Sequence, residues 1–476
     1  MKRRTFVKNS GLMAATTSMI PAAWNSTLKN TTLNPLRVAL VGTGIRGVTF
    51  WGKNLQDQYS DVLTFAALCD INPGRLEFAR NHIGVDCPVF TDFDRMLEEV
   101  KPDLLIVTTV DSTHHEFIVR GLKAGINVIT EKPLTTEDWK CREILKAEKE
   151  SGKQVIVGFN YRWSPHATRL KELLEQKRVG DISSVDFHWY LNVYHGASYF
   201  RRWHGIMERG GSLWVHKSTH HFDLLNWWLD SDPIEVSAYG ALEHYGANHK
   251  FRGPNCRNCA YTDDCKFYYD ITKSNMYMKL YVENEKYDGY IRDNCLWRSE
   301  IDIYDKMSAQ IKYANGVIVN YSLTTYSPYE GWRIAFNGMS GRIESWQDIP
   351  WRKKELTAQA QLHAAEMNQS DAKEFEDFEE IMIMDNFAED YEMARVDKPR
   401  GGHGGGDRRL QDRIFRNREE ADPLKHSAGS RDGAMSILIG IAARKSIEMN
   451  RPVKISEVTD LELMAKRPAY FTGINF

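Results

Sequence analysis

Residues 36–55 read LRVALVGTGIRGVTFWGKNL: an apolar strand from Leu36 runs straight into Gly42-x-Gly44-x-x-Gly47 and then into a helical pattern. Between a strand and a helix, such glycines allow a tight turn and the close approach of a pyrophosphate to the helix N-terminus. Gly42, Gly44, Ile45, Arg46 and Gly47 are therefore the expected phosphate cradle of a dinucleotide. The next strand, VLTFAALCD, ends in Asp70. A carboxylate there can accept hydrogen bonds from a ribose 2'-hydroxyl and repel a 2'-phosphate, which favours NAD over NADP, although Arg75 nearby keeps the second open.

Outward from this stretch the alternation continues with strand KPDLLIVTTV, helix HHEFIVRGLKAG, strand INVITEKP, helix EDWKCREILKAEKESG and strand KQVIVG. Residues 35–158 are thus expected to form a Rossmann-type, doubly wound parallel sheet, making the fold class α/β. Lys132 falls at the end of a strand, immediately before Pro133, where strand ends face the cofactor crevice and an ammonium can polarise a hydroxyl or carbonyl oxygen.

The segment TTVDSTHHEFIVRGLKAGINVITEKPL, Thr108 to Leu134, resembles the Gfo/Idh/MocA family of oxidoreductases, whose segment usually reads Thr-Pro-Asn, a His, Ala-Gly-x-x-Val and Glu-Lys-Pro. Val110 replaces the Pro, while His114, Ala124-Gly125, Val128 and Glu131-Lys132-Pro133 match in register. VGFNYRWSP, Val157 to Pro165, is also similar to that family's exit from the first domain and contains Arg162. The resemblance implies that Thr109, His114, Glu131 and Lys132 line the cofactor site, that Lys132 is catalytic, and that Arg162 is available to substrate.

In GGSLWVHKSTHHFDLLNWWL, Gly210 to Leu229, the family pattern of two glycines, an Asp, a His four residues later and an Asp three beyond maps onto His216, His220 and Asp223, with His216 replacing the first Asp. On one continuous helix, positions 216, 220 and 223 share a face. The resemblance makes His220 the expected general acid/base, an imidazole near neutrality being able to take the hydroxyl proton. A histidine at 216 cannot supply the fixed negative charge of an Asp, so the relay is expected to differ; His216 and Asp223 are kept as substrate-site residues. Three histidines and an Asp within eight residues also admit a metal. His221 reads as structural.

Residues 159–476 are expected to form an α+β domain with a large, mainly antiparallel sheet, from DISSVDFHWYLNVY, IEVSAYGALEH, SEIDIYDKMSAQIKYANGVIVNYSLTTY and WRIAFNGMSGRIESW. Tyr190, Asn192, Tyr194, Arg201, Arg202 and Trp203 could reach a sugar there. An insertion, residues 246–296, carries Cys256-x2-Cys259-x5-Cys265 and Cys295. Four thiols suit a structural zinc; two disulfides and an iron-sulfur cluster are the rivals. Glu355 to Arg395 reads as a solvated helix, and KPRGGHGGGDRRL as a loop approaching a ligand, with His403 and Asp407 as candidates, or as a surface linker.

The chain has 476 residues, 42% hydrophobic, with net charge -2, which suits two or three domains and argues against nucleic acid or an anionic membrane as partner. Residues 1–30, with Arg3-Arg4 ahead of a mildly apolar stretch, read as a signal peptide and linker resembling the twin-arginine type, which exports folded proteins; an ordinary secretory signal is the rival. No later run of 18 apolar residues calls for a membrane span. The expected protein is an exported, periplasmic NAD-dependent oxidoreductase acting on a sugar or glycoside, homo-oligomeric through its broad sheet, with NAD held as a prosthetic group. A closed redox cycle that epimerises or cleaves a glycoside, and a catalytically silent sugar-binding protein, are the alternatives.

Overall fold

Strand β1 (Leu36–Val41) pairs in parallel with β2 (Leu63–Cys69) on one side and β4 (Leu104–Val107) on the other. With β3 (Val89–Phe90), β5 (Asn127–Thr130) and β6 (Val155–Val157) they make a six-stranded parallel sheet of order β3-β2-β1-β4-β5-β6. Every residue of β4, β5 and β6 is buried, as a sheet covered by helices on both faces requires. The strand order reverses between β1 and β4, which opens a crevice beyond their carboxyl ends. The computed structural model describes residues 35–348, 359–360, 378–397, 403–468 and 473–475; the signal expected at 1–30 lies outside them.

The second sheet has nine strands, β7 (Ile182–Asn192), β8 (Pro233–Ala241), β9 (Lys306–Tyr313), β10 (Ile318–Ser327), β11 (Gly331–Gly338), β12 (Gly341–Gln347), β13 (Phe378–Asp385), β14 (Glu392–Asp397) and β15 (Val453–Lys454). Their order is β14-β13-β12-β11-β7-β10-β9-β8-β15, antiparallel throughout except for the parallel pair β10 and β7. Strand β9 alternates exposed and buried at every residue, so one face is dry. That face carries Phe187, Trp189 and Tyr321, and the helix Ser218–Leu229 lies on it through His221 and Phe222. The helix Ser430–Met449 packs behind, close enough that a Cβ at Gly440 would stand 2.3 Å from Trp214 O.

Two expectations change. Within the stretch read as a solvated helix, residues 378–397 form the β13–β14 hairpin, because Ile381 and Ile383 alternate inward while Glu380, Met384 and Asp385 on either side of them face water. The insertion is more than a clipped loop. Its Ile271, Leu280 and Tyr281 belong to the same apolar core as Val38, Leu40 and Ile106 of the parallel sheet, which ties the second half of the chain onto the first.

Candidate active site

The glycine turn shows what each glycine is for. Gly42 has φ +91°, and a Cβ there would lie 2.7 Å from Thr108 C; one at Gly47 would lie 2.2 Å from Gly42 O. These two are demanded by the chain's own packing. A Cβ at Gly44 would meet only Tyr281 Oη, at 3.6 Å, so the backbone there faces the crevice. That bare backbone fits the approach of a pyrophosphate, and the turn suits a dinucleotide. The Ile45 N–H donates to Tyr281 Oη at 2.8 Å, so the insertion reaches the cradle itself.

Asp70 ends β2 with its carboxylate held on both oxygens. Oδ2 accepts from Thr43 N at 2.7 Å and Thr43 Oγ1 at 3.0 Å, and Oδ1 from Asn72 N at 2.9 Å and Arg75 Nη2 at 3.0 Å. Arg75 also pairs with Asp288 of the insertion at 2.6 Å. On the other side of the turn, Arg46 Nε donates to Glu131 Oε1 at 2.6 Å and Nη2 to Asp407 Oδ1 at 3.2 Å. Burial pushes the Glu131 carboxyl up, but the Arg46 guanidinium and Lys132 ammonium outweigh it and hold the group below its ordinary range. Gly406, just before Asp407, serves this contact: a Cβ there would lie 2.2 Å from Asn160 O, and Asn160 Nδ2 donates to Asp407 at 2.6 Å. Its close approach is to the protein's own backbone.

Lys132, directly after β5, lies with Nζ 3.5 Å from His216 Nε2 and donates to His216 O at 3.3 Å. His216 Nδ1 lies 2.6 Å from Asp111 Oδ2. An ammonium only donates, so Nε2 is the acceptor and the ring proton sits on Nδ1, toward Asp111. Burial, with Lys132 next, drives the His216 pKa well below 6.5, which leaves the imidazole neutral at pH 7. Burial lowers Lys132 from its ordinary 10.5, and raises Asp111 in spite of the Lys132 ammonium. The turn is braced by His114, whose Nδ1 donates to Pro133 O at 2.8 Å. His204 stands edge-on to His216, ring centroids 4.1 Å apart.

The structure brings His216 to Lys132. His216 ends a short helix, Leu213–His216, and the chain turns at Lys217 before Ser218–Leu229 begins, so 216 and 220 do not share one continuous face. The His220 ring packs edge-on to Tyr161 at 4.6 Å and Phe159 at 6.3 Å. Asp223 and Arg162, expected at substrate, hold each other: Arg162 Nε donates to Oδ2 at 2.8 Å and Nη2 to Oδ1 at 2.6 Å, with Asp432 accepting from Nη2 at 3.1 Å. Thr109 Oγ1 accepts from Thr113 Oγ1 at 2.9 Å, and Tyr194 stands 53% exposed at the start of the helix Val193–Arg201. His221 is a core residue, stacked on Trp189 at 4.0 Å. Asp111 was passed over by sequence reasoning; its signal was a carboxylate just beyond a strand end of a parallel sheet.

Cys256, Cys259, Cys265 and Cys295 line one small cavity with Trp297 and Phe267. All are thiols, and among the described residues no group of three or more His, Cys, Asp or Glu is placed to hold a metal ion. The zinc, disulfide and histidine-metal expectations are not supported. Protein donors serve the sulfurs instead: Arg201 Nη1 reaches Cys256 Sγ at 2.9 Å, while Tyr261 N and Trp297 N reach Cys259 and Cys295 Sγ at 3.4 Å.

Residues 36–159 match the family model GFO_IDH_MocA, "Oxidoreductase family, NAD-binding Rossmann fold", and residues 171–455 its companion, "Oxidoreductase family, C-terminal alpha/beta domain". YteT of Bacillus subtilis (strain 168) is 33% identical over 445 residues, covering 89% of this chain and 99% of its own. The inositol 2-dehydrogenase/D-chiro-inositol 3-dehydrogenase of Lactiplantibacillus plantarum is 22% identical over 216 residues, 44% of this chain and 59% of its own. Among solved structures, a levoglucosan dehydrogenase in complex with NADH and levoglucosan superposes with TM-score 0.61 at 15% identity, covering 88% of this chain and 99% of that one.

Proposed function

The chain belongs to the Gfo/Idh/MocA family of oxidoreductases, and from that premise we propose that it oxidises a hydroxyl of a sugar or glycoside by hydride transfer to NAD. The observation that carries the reading is the contact of Lys132 Nζ with His216 Nε2, with Asp111 on the other ring nitrogen. A bound nicotinamide would supply the hydride acceptor, held by the Gly42–Gly47 turn and Asp70. The Lys132 ammonium hydrogen-bonds the reacting oxygen and stabilises negative charge as it develops. Neutral His216 takes the hydroxyl proton on Nε2, and Asp111 holds Nδ1–H and balances the imidazolium that forms. NAD is favoured over NADP because the guanidinium of Arg75, which could have met a 2'-phosphate, is paired with Asp70 and Asp288.

The test is a screen of sugars, polyols and glycosides that follows nicotinamide absorbance alongside product masses. Lys132→Ala should abolish turnover while dinucleotide binding persists; full activity in that variant would remove the site assignment. A closed cycle, in which the cofactor is reoxidised in place, is favoured by one further observation: Tyr281 of the insertion sits on the Ile45 N–H, which supports a cofactor enclosed after binding. Protein that releases NAD(H) only on denaturation, and turns over with none added, would fit that reading. Such retention suits our proposal that residues 1–30 direct export of the folded protein, since a free NAD pool is not expected outside the cytoplasm. Fusion of that segment to a reporter, with and without Arg3 and Arg4, tests it.

A further inference from the structure

Among the described residues, two guanidinium groups beside the site have no Asp or Glu within ion-pair reach, although Arg202 is near enough to act on Asp111. Arg202 follows the helix Val193–Arg201 and is 9% exposed; Arg292 lies in the insertion and is 6% exposed. Arg202 Nε donates to Ser198 O at 2.8 Å, and its Cζ lies 5.2 Å from the Tyr199 ring centroid. Arg292 Cζ lies 4.3 Å and 4.6 Å from the rings of Tyr277 and Tyr281. The charged group acting most strongly on Arg202 is Arg292, followed by Tyr290, Tyr199 and Tyr277, while those acting on Arg292 are Tyr281, Tyr277 and Tyr290. Among the described residues neither is within ion-pair reach of an Asp or Glu, whereas the buried Arg75, Arg162 and Arg467 each hold one. Burying a cation without a counter-charge is costly, and aromatic faces offset only part of that cost.

Their neighbours locate them. The Tyr199 ring over which Arg202 lies is 5.2 Å from the His216 ring, and the Tyr281 over which Arg292 lies accepts from Ile45 N in the glycine turn. Both guanidiniums also act on His204, which stands against His216, together with Lys132. The two arginines therefore flank the region between the cofactor cradle and the Lys132–His216 pair.

We propose that Arg202 and Arg292 form an anion pocket that takes the carboxylate of the substrate, so that the sugar handled here is an acidic one, a uronic acid or its glycoside. A guanidinium presents parallel N–H donors that match a carboxylate fork. The same chemistry could grip the cofactor's pyrophosphate. The substrate is the better source, because Arg202 belongs to the His216 end of the site, its Cζ over the Tyr199 ring that lies 5.2 Å from the His216 ring. The proposal rests on the reading that Lys132 and His216 act on a sugar hydroxyl.

The experiment compares matched pairs, glucose with glucuronate and galactose with galacturonate, each free and as methyl glycosides. It uses the full chain, its Arg202→Gln and Arg292→Gln variants, and Arg202→Lys and Arg292→Lys as charge-conserving controls. In the parent protein the acidic member should be favoured in kcat/KM by at least about tenfold, the scale expected of a buried charge pair. In the Gln variants that preference should collapse through KM, with the Lys variants intermediate and NAD titration by fluorescence unchanged. Equal use of both members by the parent protein would overturn the pocket. So would Gln variants that lose NAD affinity while keeping their preference, an outcome that assigns the arginines to the pyrophosphate. Calorimetric titration of the NAD-loaded protein with glucuronate and glucose separates this inference from the reading beneath it. Acid-selective binding that the Gln variants lose, without turnover of any sugar, would sustain the pocket and sink the oxidation; absence of acid-selective binding would sink the pocket itself.

Discussion

At the scale of single residues, the choice between His216 and His220 has a direct consequence. His216 touches Lys132 and Asp111, while the His220 ring packs against Tyr161 and Phe159. His216→Ala should therefore lower kcat by about 10²–10⁴, the range for loss of a positioned acid/base. Asp111→Asn, which keeps the shape but turns an acceptor into a possible donor, should do comparable damage with little change in KM. His220→Ala should act mainly on stability; equal kinetic losses at 216 and 220 would reverse the assignment. The pH profile carries a sign. On the proposed mechanism His216 is the neutral base, its pKa depressed by burial and by Lys132, so kcat should hold through pH 6.5 and fall only at lower pH. On the same mechanism Lys132 is needed as an ammonium with its own pKa depressed, so the alkaline limb should fall before pH 10.5. The two apparent values belong to the coupled group, not to either side chain alone.

At the scale of elements, the clamp of Arg162 on Asp223 and Asp432 joins the exit of the first sheet to two helices of the second half, Ser218–Leu229 and Ser430–Met449. Replacing Arg162 by Met leaves two buried carboxylates with Arg467 as their remaining cation, 2.6 Å from Asp432. Denaturant unfolding should show a loss of about 3–5 kcal/mol. The cysteine-lined cavity predicts the opposite kind of result: dialysis against a chelator should leave the thermal midpoint where it was, and a fall would bring a bound metal back into consideration. These elements also show what was legible. Gly42, Gly44, Gly47 and Lys132 could be read because their meaning is local, a turn and a strand end. Asp111 with His216 and Tyr281 with Ile45 could not, because they pair residues 105 and 236 positions apart. Periodicity does not encode such partners. The break at Lys217 hid the contact of His216 with Lys132, and the acidic residues of β13 and β14 masked a two-residue alternation as a solvated helix.

At the scale of the whole molecule, the insertion decides how the halves cooperate around a cofactor. Its Tyr281 meets the glycine turn, its Asp288 holds Arg75, and the backbone O of its Asn284 accepts from Asn72 Nδ2 at 2.9 Å. One excursion from the second half thus touches the cradle, the Asp70 neighbourhood and the helix Pro73–Ile83 capped by Asn72. A ligand bound between them is gripped from both sides, and binding only to the folded state stabilises by mass action, about 2.7 kcal/mol at a hundredfold excess over Kd. Protein stripped of dinucleotide by partial unfolding and refolding should melt at a lower temperature, and NAD should restore the midpoint in a concentration-dependent way. Tyr281→Phe removes the acceptor for Ile45 N, a bond worth about 0.5–1.5 kcal/mol net. If the insertion works as an enclosure, this variant should release bound NAD(H) on dilution about two- to tenfold faster, with its rate at saturating cofactor retained. Release at the parent rate would mean that this contact does not enclose the dinucleotide, and that any retention has to be sought in the Arg46, Glu131 and Asp407 cluster on the opposite side of the turn.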